Sequence, residues 1–470
     1  MNRRGGAAGE AGEAVGEEAD GVEGVGGGEA ADGGETAGSE TAGGGEARVP
    51  AAMRRVAVAS LVGTMVEWYD YFVFGTASAV VFNRVFFPDL DPAVGTLASF
   101  ATLGVGFVAR PLGAVVIGHF GDRVGRKSML VLTLMVMGLA TLLIGVLPTY
   151  GTVGLWAPAL LVLLRLVQGF GVGGEWGGAV LMVVEHAPAR RRGFWGTFPQ
   201  IGNAIGLVAA TGIFAAFALL PEDQFLAWGW RVPFLLSGVM LAVGLWVRLA
   251  VEESPAFARL KERQAQARLP IVEVFKTQYR SVLMAVGLRA CEGVFSYLIL
   301  TFSLSYGTDD LGMSRTPILL ATTVAAAVIG CAYPFFGSLS DRVGRRPVYL
   351  FGAAFTLVFA FPFTWLLGSG SMALLWVAII VGYTLAIGST YAVQPALFSE
   401  LFSARVRYTG ISVGQQLASV VTSGLAPTIA SALTLWAGGS LWPVALYIVV
   451  SALITLATVR WIGETKTAGM

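Results

Sequence analysis

The chain has 470 residues, of which 55% are hydrophobic and 13% charged, and its formal net charge at pH 7 is +1. Because soluble domains carry about 25% charged residues, this composition excludes an ordinary soluble protein and favours a membrane protein. The near-neutral charge gives no evidence of nucleic-acid binding, so we expect no nucleic-acid partner.

The first segment, residues 1–52, is rich in Gly, Ala and Glu and nearly free of aromatic residues. Such a segment does not bury enough apolar surface to fold alone, and it lacks the basic start and apolar core of a cleavable signal. We therefore predict a disordered acidic tail in the cytoplasm, with the first apolar span acting as an uncleaved insertion signal. Met53, which is followed by two arginines, is an alternative start of translation.

Apolar stretches of about 20 residues, long enough to cross a bilayer as helices, follow one another from Val56 to Ile462. We predict twelve spans in two sets of six. The first set is 56–82, 93–117, 128–148, 157–184, 194–220 and 231–250. The second set is 281–305, 316–337, 347–367, 372–397, 408–434 and 441–462. The pattern predicts an all-α membrane protein with twelve transmembrane helices.

One long polar segment separates the two sets of spans. We accordingly predict an N-terminal six-helix half at 53–250 and a cytoplasmic linker at 251–280. A C-terminal six-helix half at 281–462 and a short cytoplasmic tail at 463–470 complete the predicted organisation.

The distribution of positive charge predicts the orientation in the membrane. Most of the 31 lysines and arginines lie in the N-terminal region, in the loops after spans 2, 4, 6, 8 and 10, or at the C-terminus. Only Arg84, Arg231 and Arg315 lie on the other side. We therefore expect a multi-pass protein of the cell membrane (plasma or inner membrane) with both termini in the cytoplasm.

A charged turn containing glycine occurs once in each set, after spans 2 and 8. The copies read Gly118-His-Phe-Gly-Asp122-Arg123-Val-Gly125-Arg126-Lys127 and Gly337-Ser-Leu-Ser-Asp341-Arg342-Val-Gly344-Arg345-Arg346. The later glycine of each copy permits a tight turn. Each aspartate has two candidate donors: a neighbouring arginine, or a helix N-terminus across the interface between the halves. We predict that both turns act as gating loops, with purely topogenic charge as the alternative.

A second duplicated element follows spans 4 and 10, where a glutamate precedes two arginines at offsets of five and seven residues. The residues are Glu185, Arg190 and Arg192 in the first copy and Glu400, Arg405 and Arg407 in the second. Two elements in near register indicate two structural repeats, as in many transporters. We expect these six residues to form a latch between helices.

The duplicated turn resembles the signature loops after spans 2 and 8 of the major facilitator superfamily. The resemblance extends over roughly residues 53–465. It implies the major facilitator fold: twelve helices in two pseudosymmetric six-helix halves, with a central cavity that opens alternately to each side of the membrane.

Seven charged residues lie inside the predicted spans, where each is costly unless it faces a cavity or a partner. They are Glu67 and Asp70 in span 1, Arg110 in span 2, Arg165 and Glu175 in span 4, and Arg289 and Glu292 in span 7. Glu67 and Asp70 are three residues apart, so we expect them to share a helix face. Four acids and three bases leave one carboxylate without a fixed cation, and we expect a raised affinity for protons there, which would suit a proton-coupled carrier.

Several segments resemble the metabolite:H+ symporter subfamily of this superfamily. They are Gly63-Thr-Met-Val-Glu67-Trp68-Tyr69-Asp70-Tyr71, Arg110-Pro111-Leu-Gly113, Arg165-Leu-Val-Gln168-Gly169-Phe-Gly-Val-Gly173-Gly174-Glu175, Gly229-Trp230-Arg231-Val-Pro233-Phe and Glu253-Ser254-Pro255-Ala-Phe257. Tyr71 departs from the subfamily, in which phenylalanine is more usual. Members carry small organic acids or zwitterions, including 2-oxoglutarate, citrate, shikimate, proline and betaine, together with protons.

The resemblance implies that Glu67 and Asp70 serve proton coupling or substrate orientation, although a structural ion pair with Arg110 or Arg165 is the alternative. Because guanidinium pairs with carboxylate in bidentate fashion, Arg165 and Arg289 are candidate receptors for a substrate carboxylate. The predicted cavity set is Glu67, Asp70, Tyr71, Arg110, Arg165, Gln168, Glu175, Arg289 and Glu292. Further polar candidates, for which helix–helix hydrogen bonding is the default, are Gln200, Asn203, Gln394, Gln415 and Gln416.

We therefore expect a secondary active transporter that takes up a small organic acid or zwitterionic metabolite with protons. A proline/betaine-type osmolyte:H+ symporter and a proton-driven antiporter or exporter are the alternatives. The two cysteines and two histidines have no metal-ligand spacing, and we find no nucleophile–base arrangement, so we expect no metal, no cofactor beyond the coupling proton and no enzymatic activity. We expect a monomer in the lipid bilayer.

Overall fold

The structure is a computed structural model that describes residues 51–90, 92–263 and 267–466. Within these ranges the regular structure is helical throughout. Predictions about residues 1–50 and 467–470 fall outside the described residues and stay predictions.

Long helices, labelled α1 to α12, correspond one by one to the predicted spans. The first set is α1 Ala51–Val80, α2 Pro92–Arg123, α3 Arg126–Gly145, α4 Trp156–His186, α5 Ala189–Phe217 and α6 Glu222–Leu249. The second set is α7 Tyr279–Asp310, α8 Arg315–Val343, α9 Arg345–Gly368, α10 Met372–Leu401, α11 Arg407–Trp436 and α12 Trp442–Trp461. Helices α6, α7, α10 and α11 include π-helical turns, and α5 opens with a 3₁₀ turn.

Eleven helices in the described ranges are long and apolar enough to cross a membrane, and α1 is the long helix that is not among them. It has 30 residues, which is ample length for a span. Four of its residues are charged, namely Arg54, Arg55, Glu67 and Asp70. The long helix that is not among the apolar spans therefore has two acids, Glu67 and Asp70, in the middle of its length.

The segment between the sets, predicted as a linker, contains two short helices, Pro255–Glu262 and Pro270–Thr277. Ser254 caps the first of them, because its hydroxyl accepts a hydrogen bond from the amide of Phe257 at 3.3 Å. Proline at the first position of each helix favours this start, since its missing N–H has no intrahelical partner there.

The two sets repeat one packing pattern. In the first set α1 packs on α5, α2 on α4, and α3 on α6; in the second set α7 packs on α11, α8 on α10, and α9 on α12. Between the sets, α2 packs on α11 and α5 on α8. If each helix of the first set is matched with its counterpart six helices later, the α2–α11 contact becomes the α8–α5 contact. The arrangement therefore has the pseudo-two-fold symmetry that the repeats predicted.

Glycines permit close approach of the helices within the first set. A Cβ atom at Gly169 would meet the carbonyl of Gly106, and one at Gly113 would meet the carbonyl of Phe170, so α2 and α4 touch through their backbones. Gly202 of α5 packs in the same way on α1. Small residues at such contacts are typical of helix association in membranes.

Candidate functional site

A cavity of about 90 Å³ lies between the two sets of helices. Its wall comes from α1, α2, α4 and α5 and from their pseudosymmetric counterparts α7, α8, α10 and α11. The charged lining residues are Glu67, Arg110, Arg289 and Glu292. The aromatic lining residues are Trp68, Tyr71, Phe72, Trp176, Tyr297, Tyr333, Tyr383 and Tyr391. The wall is thus charged in places, rich in aromatic hydroxyls and otherwise apolar.

The structure divides the predicted cavity set into two groups. Glu67, Tyr71, Arg110, Arg289 and Glu292 line the cavity. The expected place in the wall is wrong for the other four residues, which lie behind it, whereas a role in proton coupling stays a prediction for them: Asp70, Arg165, Gln168 and Glu175. Among the additional polar candidates, Asn203, Gln415 and Gln416 line the cavity, whereas the default of helix–helix bonding holds for Gln200 and Gln394.

Asp70 faces the interior of the first set rather than the cavity. Its carboxylate accepts hydrogen bonds from the hydroxyls of Thr141 on α3 and Ser237 on α6, each at 2.7 Å. Three residues along a helix rotate the side chain by about 300°, and this offset is enough to direct Glu67 to the cavity and Asp70 to α3 and α6. The expected common face therefore has two different environments.

Behind the wall, Asp70 belongs to a chain of hydrogen bonds that ends at an arginine. Gln168 donates to the hydroxyl of Thr141 at 2.6 Å, and Arg165 donates to the side-chain oxygen of Gln168 at 3.1 Å. All members of this chain are buried. A satisfied polar network of this kind fixes the packing of α1, α3, α4 and α6.

Glu175 is paired with an arginine that the sequence analysis missed. Arg248 of α6 forms a salt bridge with Glu175, and the hydroxyl of Thr133 donates to the same carboxylate. The sequence analysis did not count Arg248, which lies near the end of predicted span 6, among the intramembrane charges, but it is 5% exposed. A side chain at Gly63 of α1 would overlap its guanidinium group. Intramembrane acids and bases are therefore equal in number, and the predicted excess of one acid is wrong.

Equal numbers do not produce complete pairing. Among the described residues, no carboxylate oxygen lies within 4.0 Å of Arg110 or Arg165. Arg110 instead stacks on the Phe107 ring, with its guanidinium carbon 4.0 Å from the centroid, and Arg165 lies 4.3 Å from that of Phe74. The Tyr71 ring also lies near both arginines, with its centroid 5.4 Å from the guanidinium carbon of Arg110 and 5.5 Å from that of Arg165. The predicted ion pairs of Glu67 or Asp70 with these arginines are not formed.

In the second set, the charges that line the cavity neutralise each other. Arg289 and Glu292 form a salt bridge at 2.9 Å, one turn apart on α7. The Gln394 amide accepts from Arg289 and donates to Glu292, both at 3.3 Å. Arg110 is therefore the one lining arginine, in the described part of the chain, without a carboxylate partner.

At the end of the bundle where the α2–α3 and α8–α9 turns lie, called the turn end below, each aspartate bonds to the opposite set. Asp122 accepts from the amides of Tyr408 and Thr409 at 3.2 and 2.9 Å and from the Thr409 hydroxyl at 2.8 Å. Asp341 accepts from the amides of Gly193 and Phe194 at 2.8 and 2.7 Å. The donors lie in the N-terminal turns of α11 and α5. This contact was one of the two predicted from the sequence.

The arginine of each turn holds the aspartate and the glutamate of the second duplicated element. Arg126 lies 3.6 Å from Asp122 and 3.7 Å from Glu185. The second copy is tighter, since Arg345 lies 2.6 Å from Asp341 and 3.4 Å from Glu400. Arg407 crosses from the second set to Glu185 at 3.2 Å.

Two further glutamates, which the sequence analysis did not assign to the turns, cover the glycines. Gly125 and Gly344 have φ of 133° and 108°, a region that favours glycine, and a Cβ atom there would meet Glu253 or Glu464. Glu253 accepts from the amides of Arg126 and Lys127, and Glu464 from those of Arg345 and Arg346. The sequence signal was present, because both glutamates follow the last helix of a set by a few residues.

The neighbouring hydroxyls repeat the same symmetry. Ser254 donates to Glu185, and Thr465 donates to Glu400. Burial raises the pKa of Glu464, but hydrogen bonds from the Arg345, Lys466 and Arg346 amides outweigh it and hold this pKa below its ordinary value. The segment from Glu464 to Lys466 is thus fastened across the α8–α9 turn.

Other expectations about the turns require correction. The presumed loops are largely helical, because Gly118, Asp122 and Arg123 belong to α2 and Asp341 and Arg342 to α8. Only the glycine and, in the first copy, the preceding valine interrupt the helices. The predicted latch also contains two arginines that lie elsewhere. Arg405 pairs with Glu273 at 3.7 Å on the surface, and Arg190 is exposed.

A helical bundle with a central cavity between two pseudosymmetric sets has the architecture of a multi-pass membrane transport protein. Comparison with known proteins gives the family: the Major Facilitator Superfamily matches residues 60–422 and 290–469. The chain belongs to this superfamily and to its metabolite:H+ symporters, as the sequence motifs predicted.

Relatives and solved structures agree with this assignment. The chain is 43% identical to the shikimate transporter of Escherichia coli, over 88% of this chain and 95% of that protein. It is 34% identical to the proline/betaine transporter of Salmonella typhimurium, over 86% of this chain and 82% of that protein. The proton:xylose symporter XylE, bound to 6-bromo-6-deoxy-D-glucose, has the same fold, with a TM-score of 0.72 at 18% identity over 88% of this chain and 96% of that one.

Proposed function

We propose that this protein carries a small organic acid across the cell membrane together with protons, by alternating access. The names of the shikimate and proline/betaine relatives support a small carboxylate-bearing cargo. The positive charge near the turn end supports a cytoplasmic location for that end and for both termini. We further propose that a monomer in the bilayer is the working unit, since each chain contains a whole cavity.

The unpaired Arg110 is the observation that carries the proposal. A buried guanidinium without an anion retains a large desolvation cost that stacking on Phe107 and Tyr71 offsets only in part. A substrate carboxylate in the cavity supplies the missing anion through charge-assisted hydrogen bonds. Arg289, which the sequence analysis favoured for this role, already has Glu292, and Arg165 lies behind the wall.

Glu67 is our candidate for the coupling proton. It lines the cavity at 6% exposure, and its Oε2 atom has no hydrogen-bond partner. A buried carboxylate oxygen without a hydrogen-bond donor is stabilised by taking up a proton. Loading the cavity with one proton on Glu67 and one carboxylate on Arg110 leaves the total charge of the site unchanged, which lowers the cost of moving the cargo through the membrane.

The turn end supports alternating access. In this structure Asp122 and Asp341 join the two sets there, so that end is closed. Opening it toward the cytoplasm requires the five hydrogen bonds of these carboxylates to break. We propose that the duplicated network stabilises the state closed to the cytoplasm and exchanges with an inward-open state.

A zwitterionic cargo such as betaine is a second candidate, favoured by the aromatic lining. Trp176 and Tyr391 stack at 6.4 Å with an interplanar angle of 16°, and Tyr333 packs edge-on against Tyr391 at 6.0 Å. Aromatic faces bind quaternary ammonium groups. In this case Arg110 would still bind the carboxylate.

The proposal is tested with purified protein and a panel of shikimate, other organic acids, proline and betaine in a thermal-shift assay. We expect the ligand that stabilises the wild type to lose at least about thirtyfold in affinity in Arg110→Gln, which corresponds to the ~2 kcal/mol minimum for truncating a buried charge pair. Arg84→Gln, which removes an exposed ion pair with Glu222, is the matched control. Carboxylate binding that survives Arg110→Gln would rule out this receptor.

A further inference from the structure

Helix α1 has a polar stripe that leads away from the cavity. Ser60, Thr64 and Glu67 follow one another at intervals of four and three residues, which places them on one helix face. All three are buried, with exposures of 4%, 0% and 6%. Glu67 lines the cavity at one end of the stripe, and Ser60 lines a separate small crevice at the other.

The middle of this stripe has unsatisfied polar atoms. Thr64 Oγ1 and Glu67 Oε2 are both buried without a hydrogen-bond partner. Thr76 and Thr211, by contrast, donate to the carbonyl four residues earlier at 2.9 Å. Neighbours at this spacing lie about 5–6 Å apart at Cβ, and a water molecule between the hydroxyl and the carboxylate would satisfy both.

The crevice lies within the first set, at its turn end. It is lined by Ser60 and its α1 neighbours together with Lys127, Leu130, Met182, Arg248 and Val251. The crevice has a volume of about 20 Å³. One water molecule needs at least about 10–15 Å³, so the crevice has room for one. Lys127 stands at the start of α3 and Val251 just beyond α6, so the crevice borders the solvent at that end.

Arg248 brings a charged group of α6 to the crevice end of the stripe. It lines the crevice, pairs with Glu175, and packs against α1 at Gly63, where the absence of a side chain makes room for it. Arg110, Arg289, Glu292 and Tyr391 line the same cavity as Glu67. The stripe on α1, with Arg248 and Glu175 beside its crevice end, thus forms a line of polar groups from the cavity to the crevice.

We propose that this line is a water-filled proton route through the first set, separate from the path of the substrate. The proposal rests on the proposed proton coupling at Glu67. The proton on Glu67 passes to the bridging water, the Thr64 hydroxyl accepts a proton on its oxygen and releases its own, and water at Ser60 carries the charge into the crevice. Glu67 returns to a carboxylate, and no other bond changes.

This route has a consequence for gating. Its members belong to α1, α3, α4 and α6 of one set, whereas the turn-end contacts of Asp122 and Asp341 join two sets. A proton therefore reaches or leaves Glu67 without separation of the two sets, while the substrate needs that separation.

The functional test uses proteoliposomes with an internal pH dye and two labelled probes, shikimate and glycine betaine. Thr64→Val removes the hydroxyl at constant volume, Thr64→Ser keeps it, and Thr76→Val is the control on the same helix. We expect Thr64→Val to lower uptake driven by a proton gradient and the accompanying proton entry at least about tenfold, since positioned proton-transfer groups contribute 10²–10⁴-fold. Substrate counterflow without a gradient should stay at the wild-type rate, and Thr64→Ser should behave as wild type.

Equal losses in gradient-driven uptake and counterflow, or no loss in either, would overturn the route, because the hydroxyl would then be structural or dispensable. If the wild type transports neither probe with protons, the symport proposal fails. The route is then tested only by whether a water lies between Thr64 and Glu67. An experimental map that resolves waters decides this second measure: we expect density between Thr64 Oγ1 and Glu67, and a dry contact there would refute the route.

Discussion

Asp122→Asn isolates the contribution of one charge to closure of the turn end. The substitution keeps an acceptor for α11 but removes the negative charge beside three donors and a fully buried Arg126. A buried charge at a helix N-terminus contributes up to about 2 kcal/mol, and charge-assisted hydrogen bonds exceed neutral ones by about 1 kcal/mol. We therefore expect the closed state to lose about 2–3 kcal/mol, which shifts the closed-to-open ratio by about 30- to 150-fold.

The shift is measurable as a distance between the two turns. Val124 and Val343 are half-exposed residues at the tips of α2 and α8, and spin labels on cysteines at these positions report separation of the sets. The background replaces Cys291 and Cys331. We expect a longer distance component to grow in Asp122→Asn and, by symmetry, in Asp341→Asn, but not in Glu222→Gln. Unchanged distance distributions in both aspartate variants would refute the gating role.

Three more predictions concern buried charges and turns. Arg248→Leu should destabilise the fold by about 3–5 kcal/mol, since it leaves Glu175 uncompensated; adding Glu175→Leu should restore most of the melting temperature, and a double variant as unstable as the single one would contradict the pairing. Gly344→Ala should lower the melting temperature, because φ of 108° strains alanine and its Cβ meets Glu464. Gly439→Ala is the control for strain alone, because Gly439 has φ of 92° and open space around it. Equal losses in the two variants would show that the contact with Glu464 contributes nothing. Glu464→Gln should cost stability only where Glu464 is ionised, and a difference independent of pH would contradict this.

The sign for Glu464 follows from its lowered pKa in the folded protein. A depressed carboxyl pKa stabilises the folded state above the unfolded-chain value of about 4.3, and this contribution disappears as the pH falls through the folded pKa. Thermal unfolding of wild type and Glu464→Gln should therefore differ by a constant amount at neutral pH and converge in acid.

Hydropathy and repetition were sufficient to predict the fold, because a spanning helix needs a long apolar run and two repeats need two copies of a motif. The ends of the helices were harder to predict from the sequence. Asp122 and Arg123 read as loop residues because they are charged, yet they extend α2 to the turn, since neighbouring helices supply their partners.

The site was predicted in composition but not in arrangement. Counting charges gave Glu67 and Arg110 a place in the bundle, but only packing distinguishes the face of Glu67 from that of Asp70. Arg248 was missed because its position near the end of span 6 is equally suited to a cytoplasmic arginine. Its burial depends on Gly63 in another helix, a relation that no local pattern contains.

Proton movement that accompanies cargo entry is the most direct test of the account. Addition of the carboxylate that stabilises the protein most to the outside of proteoliposomes, with no initial pH difference, should make the external medium more alkaline in the wild type. Glu67→Gln should abolish this signal while it still binds the carboxylate at Arg110. Cargo entry without alkalinisation, or alkalinisation that persists in Glu67→Gln, would contradict proton symport through Glu67.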